Sequence, residues 1–100
     1  METLTQQTTI RIDGETYMGL TTHADLGTQP YERKLTLWIV VEDHHTWDKM
    51  SKCLQARQSM RVKVTGRYSG LFYIVKMEDM TRGAAFVLKN DGPFVIFKDN

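Results

Sequence analysis

The chain has 100 residues, of which 41% are hydrophobic and 25% are charged, which excludes a wholly disordered chain and predicts one domain over residues 1–100. The net charge of +1 says little about partners, and the single cysteine, Cys53, excludes an internal disulfide. This cysteine usage and a polar first segment without signal-peptide character favour a cytoplasmic protein, and no apolar stretch is long enough to predict a membrane span.

Residues 8–20 predict a β-hairpin. Ile10 and Ile12 alternate with polar residues, and Asp13-Gly14 is a dipeptide typical of the two-residue type I′ turn. A turn at this dipeptide fixes the register of the two strands. The predicted cross-strand pairs are Thr9 with Met18, Ile10 with Tyr17, and Arg11 with Thr16.

Residues 21–32 predict a loop, and residues 34–42 predict the third strand. The third strand has one apolar face, formed by Leu35, Leu37, Ile39 and Val41. Trp38 alternates with these residues and therefore lies on the opposite, more polar face.

Residues 46–57 predict the single helix. Thr46 is the expected N-cap, and Met50, Cys53 and Leu54 follow helical spacing on one apolar stripe. Because Cys53 lies on that stripe, we expect a buried thiol rather than a nucleophile.

Residues 60–78 predict a second hairpin with its turn at Ser69-Gly70. This turn sets Arg61 opposite Glu78 and places Phe72 and Ile74 on the outer face. The predicted buried face contains Met60, Val62, Val64, Tyr68, Leu71, Tyr73, Val75 and Met77.

Residues 83–98 predict a shorter C-terminal hairpin with its turn at residues 90–93 (Asn-Asp-Gly-Pro). The pattern leaves open whether this hairpin joins the barrel or packs on a core formed by residues 5–80. The element order is that of a mainly β, OB-fold-like five-stranded Greek-key barrel with one helix between strands 3 and 4.

Three segments carry a family resemblance. Residues 47–54 have the character of a short helix, residues 58–67 contain a V-x-V-x-G-R strand, and residues 72–80 form a return strand ending in acidic and apolar residues. Together they resemble the second half of bacterial single-stranded-DNA-binding proteins and related OB domains. The resemblance implies an OB barrel that binds single-stranded DNA, although the glycine-rich linker and acidic tail of that family are absent from this sequence.

The outer barrel face is the candidate binding surface. Residues 1–58 carry six Lys or Arg against eight Asp or Glu, whereas residues 59–100 carry seven against four. Rings that stack on bases, interleaved with cations that contact phosphates, are the pattern that single-stranded nucleic acid requires. The predicted stacking rings are Trp38 and Phe72, and the predicted phosphate contacts are Arg61, Lys63, Arg67 and Lys76, with Arg11, Arg33 and Lys34 at the margin.

Two alternatives remain open for this surface. The C-terminal hairpin or a second subunit would cover Trp38, Phe72 and Ile74, and the same barrel face would serve equally as a protein–protein interaction module or a phage or plasmid inhibitor. No catalytic motif is present, so we expect a non-enzymatic protein without cofactor. His44 and His45 adjoin the helix start, where surface positions are more expected than a metal site.

Overall fold

The computed structural model describes residues 1–28 and 30–97. This part of the chain forms six β-strands, one α-helix and one short 3-10 turn at Pro30–Glu32. The elements are β1 (Glu2–Ile12), β2 (Glu15–Asp25), β3 (Thr36–Val41), α1 (His44–Ala56), β4 (Met60–Val64), β5 (Tyr68–Asp79) and β6 (Ala84–Ile96).

The strands form a closed antiparallel barrel in the order β1-β2-β3-β6-β5-β4, with β4 paired to β1. Three consecutive strands followed by a long connection that returns the fourth strand beside the first is Greek-key connectivity. Helix α1 lies in this long connection. The predicted mainly β barrel with one helix between β3 and β4 is therefore confirmed, but the barrel has six strands rather than five.

The β1–β2 turn and β3 follow the sequence pattern, but residues 21–25, predicted as part of a loop, belong to β2. Asp13 and Gly14 both have positive φ angles, 51° and 83°, as a type I′ turn requires. All three predicted cross-strand pairs of the β1–β2 hairpin are present. On β3, the predicted apolar face is buried, and Trp38 lies on the outer face.

The predicted C-terminal hairpin is wrong. Residues 84–96 form the single strand β6, whose first half pairs with β3 on one side and β5 on the other. Residues 90–93 form a bulge rather than a turn, because Phe72 pairs with Asn90 while Gly70 pairs with Phe94. Hydrogen bonding to two neighbouring strands stabilises β6 as the sixth barrel strand, and in the part of the chain that the structure describes no separate hairpin covers the outer face.

The predicted register of the β4–β5 hairpin is also wrong. The turn lies at residues 65–67, where Gly66 has a φ of 73°, and Val64 pairs with Tyr68. This register reverses most of the faces predicted for β5, so that Phe72 is buried and Tyr73 is exposed. Arg61 consequently lies opposite Leu71 rather than opposite Glu78.

Helix α1 begins two residues earlier than predicted because Asp43, not Thr46, is its N-cap. The Asp43 carboxylate accepts a hydrogen bond of 2.8 Å from the backbone N–H of Thr46, which lowers the pKa of the carboxyl group. The helix packs against β5 and β3 and buries Met50 and Cys53 in the barrel core. The largest fully buried side chains include those of Phe72, Phe86, Ile10, Leu37, Ile39, Met60 and Leu88.

Candidate functional site

The two rings predicted to stack on bases have different positions. The Phe72 side chain is fully buried, with 0% of its surface exposed, so the prediction that it stacks on a ligand is wrong. Trp38 is half-buried on the outer face of β3 and makes an edge-to-face contact with His23, with ring centroids 6.2 Å apart. Of the predicted pair, only the Trp38 ring is accessible from outside the barrel.

Three of the predicted phosphate-contacting residues are engaged by carboxylates, and one of them is Lys34, which pairs with Glu32. Arg67 forms an ion pair with Glu2, and hydrogen bonding to that carboxylate raises the pKa of Arg67 above its usual value. Lys76 forms an ion pair with Glu78, with a distance of 3.0 Å between the Lys76 Nζ and Glu78 Oε1 atoms. The expected cluster of Lys63, Arg67 and Lys76 around Phe72 is therefore not assembled.

Arg11, Arg61 and Lys63 form a cation cluster on the outer wall. Arg11 of β1 is the direct cross-strand partner of Arg61 of β4, and all three side chains are exposed. The ion pairs found among the described residues involve none of the three. Like charges placed directly opposite each other are destabilising, so an anion bound between them would relieve a repulsion within the free protein.

Tyr73 lies between two surface grooves. The first, called the loop groove, has a volume of about 370 Å³ and separates the β2–β3 connection from β5 and β6. The second, called the helix groove, has a volume of about 580 Å³ and lies beside the end of α1. The Tyr73 side chain is 37% exposed and lines both grooves. The cationic lining residues are Arg33, Lys34 and Lys89 in the loop groove and Arg57 in the helix groove.

Three carboxylates also line these grooves, and each has a partner. Asp25 accepts a hydrogen bond of 2.9 Å from the backbone N–H of Gly27, and Glu32 forms an ion pair of 3.1 Å with Lys34. In the helix groove, Asp91 accepts a hydrogen bond from the Ser59 hydroxyl. Arg33, Arg57 and Lys89 take part in none of the ion pairs among the described residues.

The cation cluster and the grooves belong to one continuous band, which we call the Tyr73 band. Arg61 pairs with Leu71, Tyr73 follows two residues later on the same face of β5, and Tyr73 pairs with Lys89 of β6. Adjacent strands lie about 4.8 Å apart, so the band extends roughly 15 Å from Arg11 on β1 to β6. It carries cations at both ends and an exposed ring between them.

Asn90 fixes the geometry of the loop groove. Its side-chain Oδ1 accepts a hydrogen bond of 2.8 Å from the Leu35 N–H, and its Nδ2 donates to the Arg33 and Gly92 carbonyl oxygens at 3.0 and 2.8 Å. One amide group therefore joins the β2–β3 connection to the bulge in β6. This attachment holds Arg33, whose φ of 52° lies in the left-handed region, beside the strand that carries Lys89.

We expect the isosteric substitution Asn90→Asp to lower the free energy of unfolding by about 2 kcal/mol and to weaken the attachment of the β2–β3 connection to the bulge in β6. A carboxylate cannot donate to the two carbonyl oxygens and would repel both. Urea denaturation followed by tryptophan fluorescence measures the stability. The matched control is Asp91→Asn, and equal stability of the two variants would contradict the role given to Asn90.

The sequence analysis missed Tyr73, Lys89, Arg57 and Asn90 as site residues. The signal that would have found Tyr73 is Gly66, because a three-residue hairpin loop prefers glycine at a position of positive φ. A turn at Gly66 instead of Ser69-Gly70 directs Tyr73 outwards. Asn90 was assigned to a turn, and no local pattern connects it with Arg33 and Leu35.

The histidines of α1 lie in aromatic contacts. The His44 ring stacks on Trp47, and the His45 ring lies against Tyr17, each with 5.5 Å between ring centroids. Within residues 1–28 and 30–97, no three His, Cys, Asp or Glu side chains are grouped as a metal ion would require. In the same part of the chain, α1 is too short and too polar to span a bilayer.

Comparison of the chain with protein-family models, with curated proteins and with solved structures gave no match.

Proposed function

We propose that this domain is a non-enzymatic binder of single-stranded nucleic acid, with DNA as the expected ligand. The observation that carries the proposal is the exposed Tyr73 ring between two grooves whose cations Arg33, Lys89 and Arg57 form no ion pair within residues 1–28 and 30–97. Tyr73 stacks on a base, and these cations contact the adjoining phosphates. The cluster of Arg11, Arg61 and Lys63 extends the phosphate track across the barrel wall.

The expected energetics favour a sequence-tolerant interaction. Stacking of a base on an aromatic side chain contributes about 1–3 kcal/mol, and every base has a face that can stack. Contacts to phosphates fix the path of the strand without reading its sequence. Because the cations of the band are exposed, their contacts with phosphates would release the counterions condensed on the strand. We therefore expect the affinity to fall steeply as the salt concentration rises.

The barrel architecture supports the proposal. Greek-key connectivity and a helix between β3 and β4 agree with the OB-like character that the resemblance to single-stranded-DNA-binding proteins implies. Strand β6 is additional to the five strands of an OB barrel. It supplies Lys89 and Asn90 and so contributes directly to the loop groove.

Trp38 is proposed as a second stacking ring at the margin of the band. Trp38 pairs with Val87 of β6, and Val87 precedes Lys89 by two residues. Trp38 and Lys89 therefore lie on the same outer face of the barrel. Its indole is therefore a natural reporter, because a strand that passes Lys89 would change the Trp38 fluorescence. Lys34, Arg67 and Lys76 are given no phosphate contact in this proposal, since all three are held by carboxylates.

We expect Tyr73→Ala to weaken the binding of a fluorescently labelled thymidine oligonucleotide roughly tenfold, because one stacking contact is lost. Fluorescence anisotropy at low salt measures the affinity. Tyr73→Phe keeps the ring and should retain most of the affinity. The matched control is Tyr31→Ala, which removes a ring that is 78% exposed but lines neither groove.

Equal affinities of Tyr73→Ala and Tyr31→Ala would contradict the proposal that Tyr73 stacks on a base. Failure of the folded parent protein to bind any oligonucleotide at low salt would reject nucleic acid as the ligand class altogether.

A protein–protein interaction module is the second candidate function. Met18 and Leu20 are 45% and 39% exposed on the outer face of β2, and Leu20 pairs with the half-buried Val40 of β3. Together with Trp38, which also lies at the margin of the Tyr73 band, they form an apolar strip on the outer faces of β2 and β3. Concentration-dependent association measured by sedimentation, without oligonucleotide binding, would favour this function.

A further inference from the structure

A cavity distinct from the helix groove adjoins the loop groove at the end of the barrel. It has a volume of about 270 Å³ and lies between the β2–β3 connection and the last residues of β6. Three apolar side chains line it, from Leu26, Phe94 and Ile96, and Arg33 and Lys34 complete the lining together with Gly27. We call this cavity the Phe94 pocket.

The Phe94 pocket is open because β6 loses a neighbour there. Strand β3 pairs with β6 only as far as Lys89, whereas Phe94 and Ile96 belong to the part of β6 that pairs with β5 alone. Phe94 itself is 7% exposed, but Leu26 and Ile96 are 41% and 51% exposed. The cavity therefore presents apolar surface at a position that the barrel does not cover.

The Phe94 pocket and the loop groove share Gly27, Arg33 and Lys34. These two cations consequently lie between a groove lined by the exposed Tyr73 ring and a cavity with apolar walls. An apolar surface, a cation and a second stacking surface in that order match two neighbouring bases joined by one phosphate. The charge complementarity and the continuity with the Tyr73 band favour a nucleotide strand over an unrelated occupant.

We propose that the Phe94 pocket takes the base adjacent to the one that stacks on Tyr73, with the linking phosphate bound by Arg33, since Lys34 is held by Glu32. The proposal rests on the nucleic-acid-binding function proposed above and makes its minimal ligand a pair of consecutive nucleotides. In this arrangement Arg33 contacts the phosphate and Lys34 remains paired with Glu32, so the second base is bound without regard to its identity.

The first test places a carboxylate in the pocket. Ile96→Asp should weaken thymidine oligonucleotide binding about tenfold, because it adds a negative charge and removes part of the apolar wall. The matched control is Val95→Asp, which introduces the same charge at a neighbouring residue that is 55% exposed and does not line the pocket. Both substitutions replace exposed side chains, and circular dichroism checks that both variants are folded.

The second test uses the unmodified protein and two thymidine strands of equal length in which half of the sugars lack a base. In one strand bases and abasic sugars alternate, and in the other the bases are contiguous. The two strands have the same charge and base count, so only a site for adjacent bases distinguishes them. We expect the contiguous strand to bind about tenfold more tightly.

Equal binding of the two strands, or equal affinities of the Ile96→Asp and Val95→Asp variants, would overturn the proposal while leaving the Tyr73 assignment in place. Absence of binding by the unmodified protein to any strand is instead the failure of the proposed function. In that case a loss of protein self-association in Ile96→Asp, but not in Val95→Asp, would identify the pocket as a protein contact.

Discussion

Replacing Gly83 by alanine should lower the free energy of unfolding by roughly 3 kcal/mol or more, the largest backbone effect that we expect in this protein. Gly83 has a φ of 81°, which disfavours any side chain. A Cβ atom at this position would overlap the Val41 carbonyl oxygen and lie 2.8 Å from the Glu42 Cα atom. Both neighbours are backbone atoms, so relief requires the β5–β6 turn to separate from the end of β3.

Gly14→Ala is the matched control for this substitution. Gly14 has almost the same φ, 83°, but no atom lies within 4 Å of a Cβ placed there. Its substitution should therefore cost only the conformational penalty, about 1 kcal/mol. Urea denaturation of both variants, followed by tryptophan fluorescence, separates strain from steric overlap. If the two variants were equally stable, the close approach of Gly83 to β3 would be wrong.

Phe72→Ala should destabilise the protein by about 3–5 kcal/mol, as expected for removal of a fully buried phenyl ring from a packed core. The surrounding side chains come from several barrel strands and cannot all move into the space. The loss should appear as a lower urea midpoint with an unchanged slope of the transition.

For Tyr73→Ala, the substitution of the next residue on β5, we expect the opposite effects on stability and on binding. Because Tyr73 lies on the outer face, we expect its loss to change stability by less than about 1 kcal/mol while weakening oligonucleotide binding. The two variants together test the β4–β5 register. A stable Phe72→Ala protein that no longer binds DNA, paired with an unstable Tyr73→Ala protein, would restore the register predicted from the Ser69-Gly70 turn.

The sequence by itself determined the elements whose signals are local. Alternation of apolar residues located β3 and β4, helical spacing located α1 to within a few residues, and Asp13-Gly14 determined the register of the β1–β2 hairpin from the turn as far as the pair of Gln6 and Thr21, beyond which the pairing shifts. These predictions succeeded because the deciding interactions, the turn and the alternation, lie within a few residues of each other.

The tertiary structure decided the register of β5 and the course of β6. Gly66 and Gly70 are both reasonable turn residues, and only the complete barrel distinguishes them. Gly70 is needed for close packing rather than for a turn, because a Cβ atom there would lie 3.0 Å from the Phe94 Cβ atom. That constraint arises between β5 and β6, which no local pattern describes.

The candidate site depended on tertiary structure for the same reason. Arg11 and Arg61 are paired although fifty positions separate them, and Asn90 holds Arg33 across a similar separation. Turn chemistry and periodicity describe neighbours along the chain, whereas burial of Phe72 and pairing of β6 with both β3 and β5 depend on the whole barrel. The sequence therefore determined which rings and cations were available, and closure of the barrel decided which of them meet on its surface.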